Sequence, residues 1–207
     1  VIFSNGAIKL GSITANNNGG GGVSGSGVYV NNTFLNPQPV TVTGFLTAFD
    51  NFEHGLSITS LGAVTLTNLT ANNNSKSGVV INNSGGTTPY AVIITGVNMF
   101  NGNADTGLSI DSRGAITVSN VTAIWNGNGS TSSDVGVNLV NNYNALVPQN
   151  VTLTGYNSFL HNAQYGLAIV SYGAVTLSNI TANDNGNFTI NDFGNGAYIN
   201  NAGGSLA

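Results

Sequence analysis

The chain has very little charge. Charged residues make up 5% of its 207 residues, where an ordinary soluble domain has about 25%. The only basic side chains are Lys9, Lys76 and Arg113, too few to track a phosphate backbone, so no nucleic-acid partner is expected. Cysteine is absent, which excludes disulfides and thiolate metal sites. No apolar run approaches the roughly 20 residues of a membrane-spanning helix, so this segment is not expected to insert into a bilayer. Scarce charge does not make the chain disordered. Disordered chains are typically charged and poor in β-branched residues. This one is 41% hydrophobic, rich in Val, Ile and Thr, and takes its polarity from Asn, Gly, Ser and Thr.

What fills the chain is a repeat. Residues 62–74, GAVTLTNLTANNN, recur as GAIKLGSITANNN at 6–18, GAITVSNVTAIWN at 114–126 and GAVTLSNITANDN at 173–185. Three weaker units lie between them, beginning at Val40, Val92 and Val151, with Gly44, Gly96 and Gly155 where the stronger units carry Asn68, Asn120 and Asn179. Self-similarity at such a period is the signature of a stacked architecture. Seven units result, anchored at Ile8, Val40, Val64, Val92, Ile116, Val151 and Val175.

Each unit holds three short strand signals. In the first, Val64 and Leu66 alternate with Thr65 and Thr67, the period of a half-buried strand. Asn68 or its Gly counterpart then marks a bend, since Asn and Gly tolerate left-handed backbone. The second is Leu69-Thr70-Ala71, with Leu69 and Ala71 inward. The same layout puts Phe45, Val97 and Tyr156 at the inward position of Leu69 and makes Met99 a core filler. The third opens with Gly, as in Gly55-Leu56-Ser57-Ile58 and Gly107-Leu108-Ser109-Ile110. One such coil cannot bury its apolar side chains; stacked coils about 4.8 Å apart can. The spacing therefore predicts an all-β chain: a single parallel solenoid domain over 1–207 of about seven three-strand coils, with Asn-rich bends stacked as ladders. The bend after the third strand is alternately short and long, and all four prolines, Pro37, Pro39, Pro89 and Pro148, fall in the long set, outside the hydrogen-bonded stack. The larger repeat is thus two coils, near 6–61, 62–113, 114–172 and 173–207. The chain opens and closes in mid-pattern and is read as a piece of a longer repetitive protein.

The pattern V-T-[LI]-T-[NG], a hydrophobic residue and then Gly before the third strand resembles the right-handed parallel β-helix of the pectate-lyase-like superfamily, and most of all its large repetitive bacterial surface and adhesin-type proteins. The resemblance implies right-handedness and an extracellular or cell-surface setting. It also implies a structural role as a stalk, adhesin-like or self-assembling segment, associating end to end or laterally with its own copies. Polysaccharide lyases and hydrolases share the superfamily and form the alternative. Such enzymes cluster carboxylates or basic residues on one face. Here Asp50, Glu53, Asp105, Asp111, Asp134, Asp184 and Asp192 make no column along one strand, so no catalytic residue, metal or cofactor is assigned. Asp50, Glu53 and His54 share one turn and read as a solvated loop, and His161 and the three basic residues as structural or solubilising groups.

The candidate binding surface is a set of outward threonines: Thr41 and Thr43, Thr65 and Thr67, Thr117, Thr152 and Thr154, and Thr176. On a flat sheet they make two files of hydroxyl and methyl groups, interrupted by Lys9 and Ile93. They resemble the ice-binding face of β-solenoid antifreeze proteins and equally suit carbohydrate. Trp125 either packs beneath the loop at 127–135 or stands exposed as a stacking face for a sugar or a partner. The nine N-x-[ST] sequons, Asn68, Asn120 and Asn179 among them, are expected to serve as bend residues rather than glycan sites.

Overall fold

The computed structural model describes residues 1–20, 25–34, 36–128, 134–144, 147–186 and 194–202. Asp192, residues 203–207 and the middles of the loops near 19–26, 127–135 and 186–195 lie outside the described residues.

Three sheets wrap the chain axis, and all their strand pairs are parallel and in register. Sheet I has eight strands and holds the third strand signal of each coil, including Val28–Asn32, Leu56–Ser60, Val79–Asn83, Leu108–Ser112, Val137–Asn141 and Leu167–Ser171. Sheet II has seven and holds the V-T-L-T segments, from Ile8–Leu10 through Val64–Thr67 to Val175–Leu177. Sheet III, also of seven, runs from Ile13–Thr14 through Leu69–Asn72 to Ile180–Asn183. Each strand pairs with its counterpart one coil away, so the chain is a right-handed parallel β-helix of about seven coils. Right-handed return is also the rule for parallel strands joined by a crossover.

The core is one cylinder. Its walls are the inward residues of the three sheets, such as Leu56 and Ile58, Val64 and Leu66, and Leu69 and Ala71, all at most 1% exposed. Their stacking leaves each coil dependent on its neighbours, since no coil has a core of its own.

Sheet III departs from the expected inward pattern in the glycine coils. Phe45, Val97 and Tyr156 are not inward; they stand 66%, 65% and 81% exposed. The register pairs Leu46 with Leu69, Asn98 with Val121 and Asn157 with Ile180, so the glycine coils carry one extra residue at this bend. Met99 is also outward, opposite Thr70 and Thr122, and does not fill the core. The inward places are taken by Asn98 and Phe100 in one coil, and by Asn157 and Phe159 in another.

At the first insertion, with Leu46 inward, the Phe45 carbonyl still takes the Ile13 N–H. At the other two the backbone ladder is interrupted at the bend, and the polar groups left there must find partners. Asn98 supplies them: its Oδ1 accepts from the Leu69 N–H at 3.1 Å, and its Nδ2 donates to the carbonyls of Ser119 at 2.8 Å and Thr95 at 3.2 Å. Asn157 repeats the arrangement with Val121, Ser178 and Thr154.

Candidate functional site

Asn68, Asn120 and Asn179 hold the left-handed bends expected of them, with φ of 52°, 48° and 48°. They alternate along the corner with Gly44, Gly96 and Gly155. Asn68 Oδ1 accepts from the Val97 N–H, and Asn120 Oδ1 from the Tyr156 N–H, both at 3.1 Å. Asn120 and Asn179 donate back to the carbonyls of Gly96 and Gly155. A Cβ on Gly96 or Gly155 would sit 2.2 or 2.1 Å from the Oδ1 of the asparagine one coil below. The alternation is therefore steric as well as conformational, and amide does not stack on amide here.

Amide stacks on amide at the next corner. Asn18, Asn51, Asn74, Asn103, Asn126, Asn162 and Asn185 form a single file through all seven coils. Each Nδ2 donates to the Oδ1 of the following rung at 2.8–3.0 Å, and each backbone N–H donates to that same Oδ1. The second Nδ2 hydrogen of Asn51, Asn74, Asn103, Asn126, Asn162 and Asn185 goes to a carbonyl of an earlier coil, Ala71 for Asn103 and Phe100 for Asn126. The interior rungs, Asn51 through Asn162, are at most 1% exposed. Each interior carboxamide accepts twice and donates twice, its full geometric capacity for close partners.

The glycine before the third strand is the counterpart of this file. A Cβ on Gly107 would lie 2.6 Å from the Gly136 carbonyl and 2.9 Å from Asn126 Nδ2, and Gly55, Gly78 and Gly136 repeat the clash. The residue just before each rung takes left-handed backbone: Asn17, Asp50, Asn73, Gly102, Trp125, His161 and Asp184. The sequence signal was present in the third N of NNN and in the fixed Asn-x-x-x-Gly spacing of 51–55, 74–78, 103–107 and 162–166.

The strand register aligns the threonines of sheet II in files. Thr41 is opposite Lys9 and Thr65, Ile93 lies between Thr65 and Thr117, and Thr152 lies between Thr117 and Thr176. Thr67 neighbours Thr95, and Thr154 neighbours Ser119; Thr43 begins that second file, bonded through its N–H to the Leu10 carbonyl. A further file on sheet III was not anticipated: Thr14, Thr47, Thr70, Met99, Thr122, Ser158 and Thr181, in register. It was hidden by the shifted register of the glycine coils.

Trp125 does not pack beneath a loop among the described residues. It is 60% exposed, with left-handed backbone, and its ring stacks on His161 of the next coil at 4.4 Å and 13°. His161, without an acid beside it in the sequence, thus has an aromatic partner. In the Asp50, Glu53 and His54 turn, Glu53 and His54 each bond to the next coil. Glu53 is held below the ordinary carboxylate range chiefly by the hydrogen bond from Lys76, whose Nζ lies 2.8 Å away. His54 accepts from the Ser77 N–H through Nδ1, and burial holds it below its ordinary value. Lys76 is therefore a partner rather than a free surface charge. Asp105, one coil on, is pushed up by burial and then by the charge of Asp134. Arg113 donates to the Ser84 carbonyl and lies over the Tyr143 ring, whose hydroxyl donates to Asp111. Charge thus gathers on sheet I and at the corners beside it.

No family model, curated protein or solved structure matches the chain.

Proposed function

We propose that the chain is a structural segment: a stiff, repetitive, adhesin-like rod of a secreted or cell-surface protein in the pectate-lyase-like superfamily. The observation that carries this reading is the unbroken asparagine file from Asn18 to Asn185, saturated with hydrogen bonds at its interior rungs. Together with three in-register sheets it ties every coil to the next along the axis, which is what a spacer under tension requires. On sheet I the central position of the strand changes from coil to coil, Tyr29, Ser57, Val80, Ser109, Asn138 and Ala168, so that face is free to vary. Pulling the chain by its ends in a single-molecule instrument tests the reading. Discrete releases of about 85–120 Å, one coil of 24–35 residues at ~3.5 Å per residue, or sums of such steps, are expected. Featureless stretching at low force would count against it.

A second reading has its own observation. Neutral threonine files cover two adjoining sheets, a regular array of hydroxyl and methyl groups suited to an ice or carbohydrate surface. Thermal hysteresis in dilute solution, abolished by Thr65→Lys with Thr152→Lys, supports it; freezing at the equilibrium point removes the ice reading.

A further inference from the structure

The corner between sheets II and III alternates in profile. In coils 2, 4 and 6 the extra residue projects Phe45, Val97 and Tyr156 into solvent. In coils 3, 5 and 7 a single left-handed residue, Asn68, Asn120 or Asn179, makes a low bend. The ridge therefore reads knob, hollow, knob, hollow, with knobs about 9.6 Å apart, two coil rises of ~4.8 Å. An open groove lies beside the last hollow, lined by Tyr156, Asn179, Ile180 and Thr181. Three exposed apolar side chains in one line mark a candidate interaction surface.

We infer that this ridge pairs with the same ridge of a second copy, antiparallel, about a two-fold axis between coils 4 and 5. Such an axis sets coil 2 against coil 7, coil 4 against coil 5 and coil 6 against coil 3. Every knob then meets a hollow: Phe45 the Asn179 bend and its groove, Val97 the Asn120 bend, Tyr156 the Asn68 bend. The contact is isologous and closes on itself, as two-fold contacts do. Two things on the molecule specify the occupant. The first is period: a partner must present hollows at a two-coil spacing, and this repeat does. The second is charge. Each copy carries a net charge of −4, yet none of the residues of this corner, 11–12, 43–45, 67–68, 95–97, 119–120, 154–156 and 178–179, is charged. The described acids and Lys76 and Arg113 sit on sheet I or at the two corners beside it, and Lys9 on sheet II. This is the one corner along which two acidic rods meet without like charges in contact.

The size of the contact sets its strength. Six coil rises by about five residues' width cover on the order of 500 Å² per copy, below the ~800 Å² per partner of a standard interface. The dimer is accordingly weak, populated at high micromolar to millimolar concentration. The inference deepens the structural reading without being needed by it: a monomeric rod overturns the pairing and leaves the rod standing.

Sedimentation equilibrium up to millimolar concentration is the test, with a cross-linking arm that the cysteine-free sequence keeps clean. The wild-type chain dimerises, with little dependence on salt. The triple variant Phe45→Ser, Val97→Ser, Tyr156→Ser weakens dimerisation more than about tenfold, as expected for three apolar contacts. Its thermal melting stays unchanged, because the knobs contribute nothing to the core. Phe45→Cys with Thr181→Cys forms disulfide-linked dimers, whereas Phe45→Cys with Thr70→Cys, the pair a parallel stagger would join, does not. A wild-type chain that stays monomeric, a triple variant that dimerises as well as wild type, or cross-linking through Thr70→Cys instead overturns it.

Discussion

Replacing Asn103 with alanine should damage the rod far more than replacing a terminal rung, and the structure sets the size of the difference. Asn103 Oδ1 accepts from the Asn74 N–H at 3.1 Å and from Asn74 Nδ2 at 2.9 Å. Its Nδ2 donates to Asn126 Oδ1 at 3.0 Å and to the Ala71 carbonyl at 2.9 Å. Truncation to Cβ leaves the Asn74 N–H, one Asn74 Nδ2 hydrogen and the Ala71 carbonyl without these partners, at a site 1% exposed. Each buried unsatisfied group costs about 1–3 kcal/mol. Water entering the vacated space offsets part of that, so about 3–6 kcal/mol is expected for Asn103→Ala. Asn18 is an exposed end rung, and its side chain donates to Asn51 Oδ1 at 2.8 Å and to the Asn16 carbonyl at 3.2 Å. Asn18→Ala should cost about 1 kcal/mol. Urea unfolding followed by circular dichroism measures both, with the m-value checked because stacked repeats can unfold in parts. In melting the difference corresponds to roughly 5–20 °C at about 2–4 °C per kcal/mol. Equal losses in the two variants, or a loss under about 1 kcal/mol for Asn103→Ala, would refute the claim that the file bears load.

Other consequences are as direct. Gly107→Ala should cost about 2 kcal/mol or more, since its Cβ meets the Gly136 carbonyl and Asn126 Nδ2; Gly11→Ala, with nothing within 4 Å, should be neutral, and matching melting curves for the two would contradict the steric account. Trp125→Asn should be neutral or stabilising by up to about 1 kcal/mol, because a mostly exposed indole gives way to a residue that accepts left-handed backbone; a large loss would mean the His161 stack matters more than the backbone. His54 is held below its ordinary 6.5 mainly by burial, so the folded chain binds fewer protons than the unfolded one near that pH. Its contribution is full above 6.5 and is lost as pH falls through 6.5 towards the folded value. The melting temperature should therefore drop from pH 7.5 to 5.5 by less in His54→Asn than in wild type, and identical slopes would remove His54 from the explanation. Asp105 is pushed the other way by burial and Asp134, so its ionised form weakens the fold, and Asp105→Asn should melt higher than wild type at pH 7.

Most of the fold could be read because its signal is local and repeated. Val64-Thr65-Leu66-Thr67 alternates cleanly, and each copy of GAVTLTNLTANNN reinforces the others. The misplaced residues came from one insertion. Gly96-Val97-Asn98 resembles Asn68-Leu69-Thr70 in hydrophobicity, apolar then polar, yet the two are offset by one place. Hydropathy favours an inward Val97 and an outward Asn98; the structure has the opposite, and the buried carboxamide takes the Leu69 N–H and the Ser119 carbonyl. The comparison of Gly44-Phe45-Leu46-Thr47-Ala48 with Asn68-Leu69-Thr70-Ala71 contains the clue, since Leu-Thr-Ala aligns only if one residue is skipped. The left-handed asparagines were recognisable from residue type. The stacked file at Asn51, Asn74, Asn103, Asn126 and Asn162 was harder to place, because a buried Asn and a solvent-facing Asn read alike until a partner coil is laid above and below. The partners of Trp125, Lys76 and Arg113 lie one coil or more away and leave no mark in their local sequence.

Hydrogen exchange of the asparagine side chains, followed by NMR, tests the central claim most directly. If the file is continuous, the carboxamide protons of Asn51, Asn74, Asn103, Asn126 and Asn162 exchange as slowly as the backbone amides of the core strands at Leu66 and Ile110, while those of Asn18, at the exposed end, exchange faster. Fast exchange at the interior rungs under conditions where the core strands stay protected would contradict it.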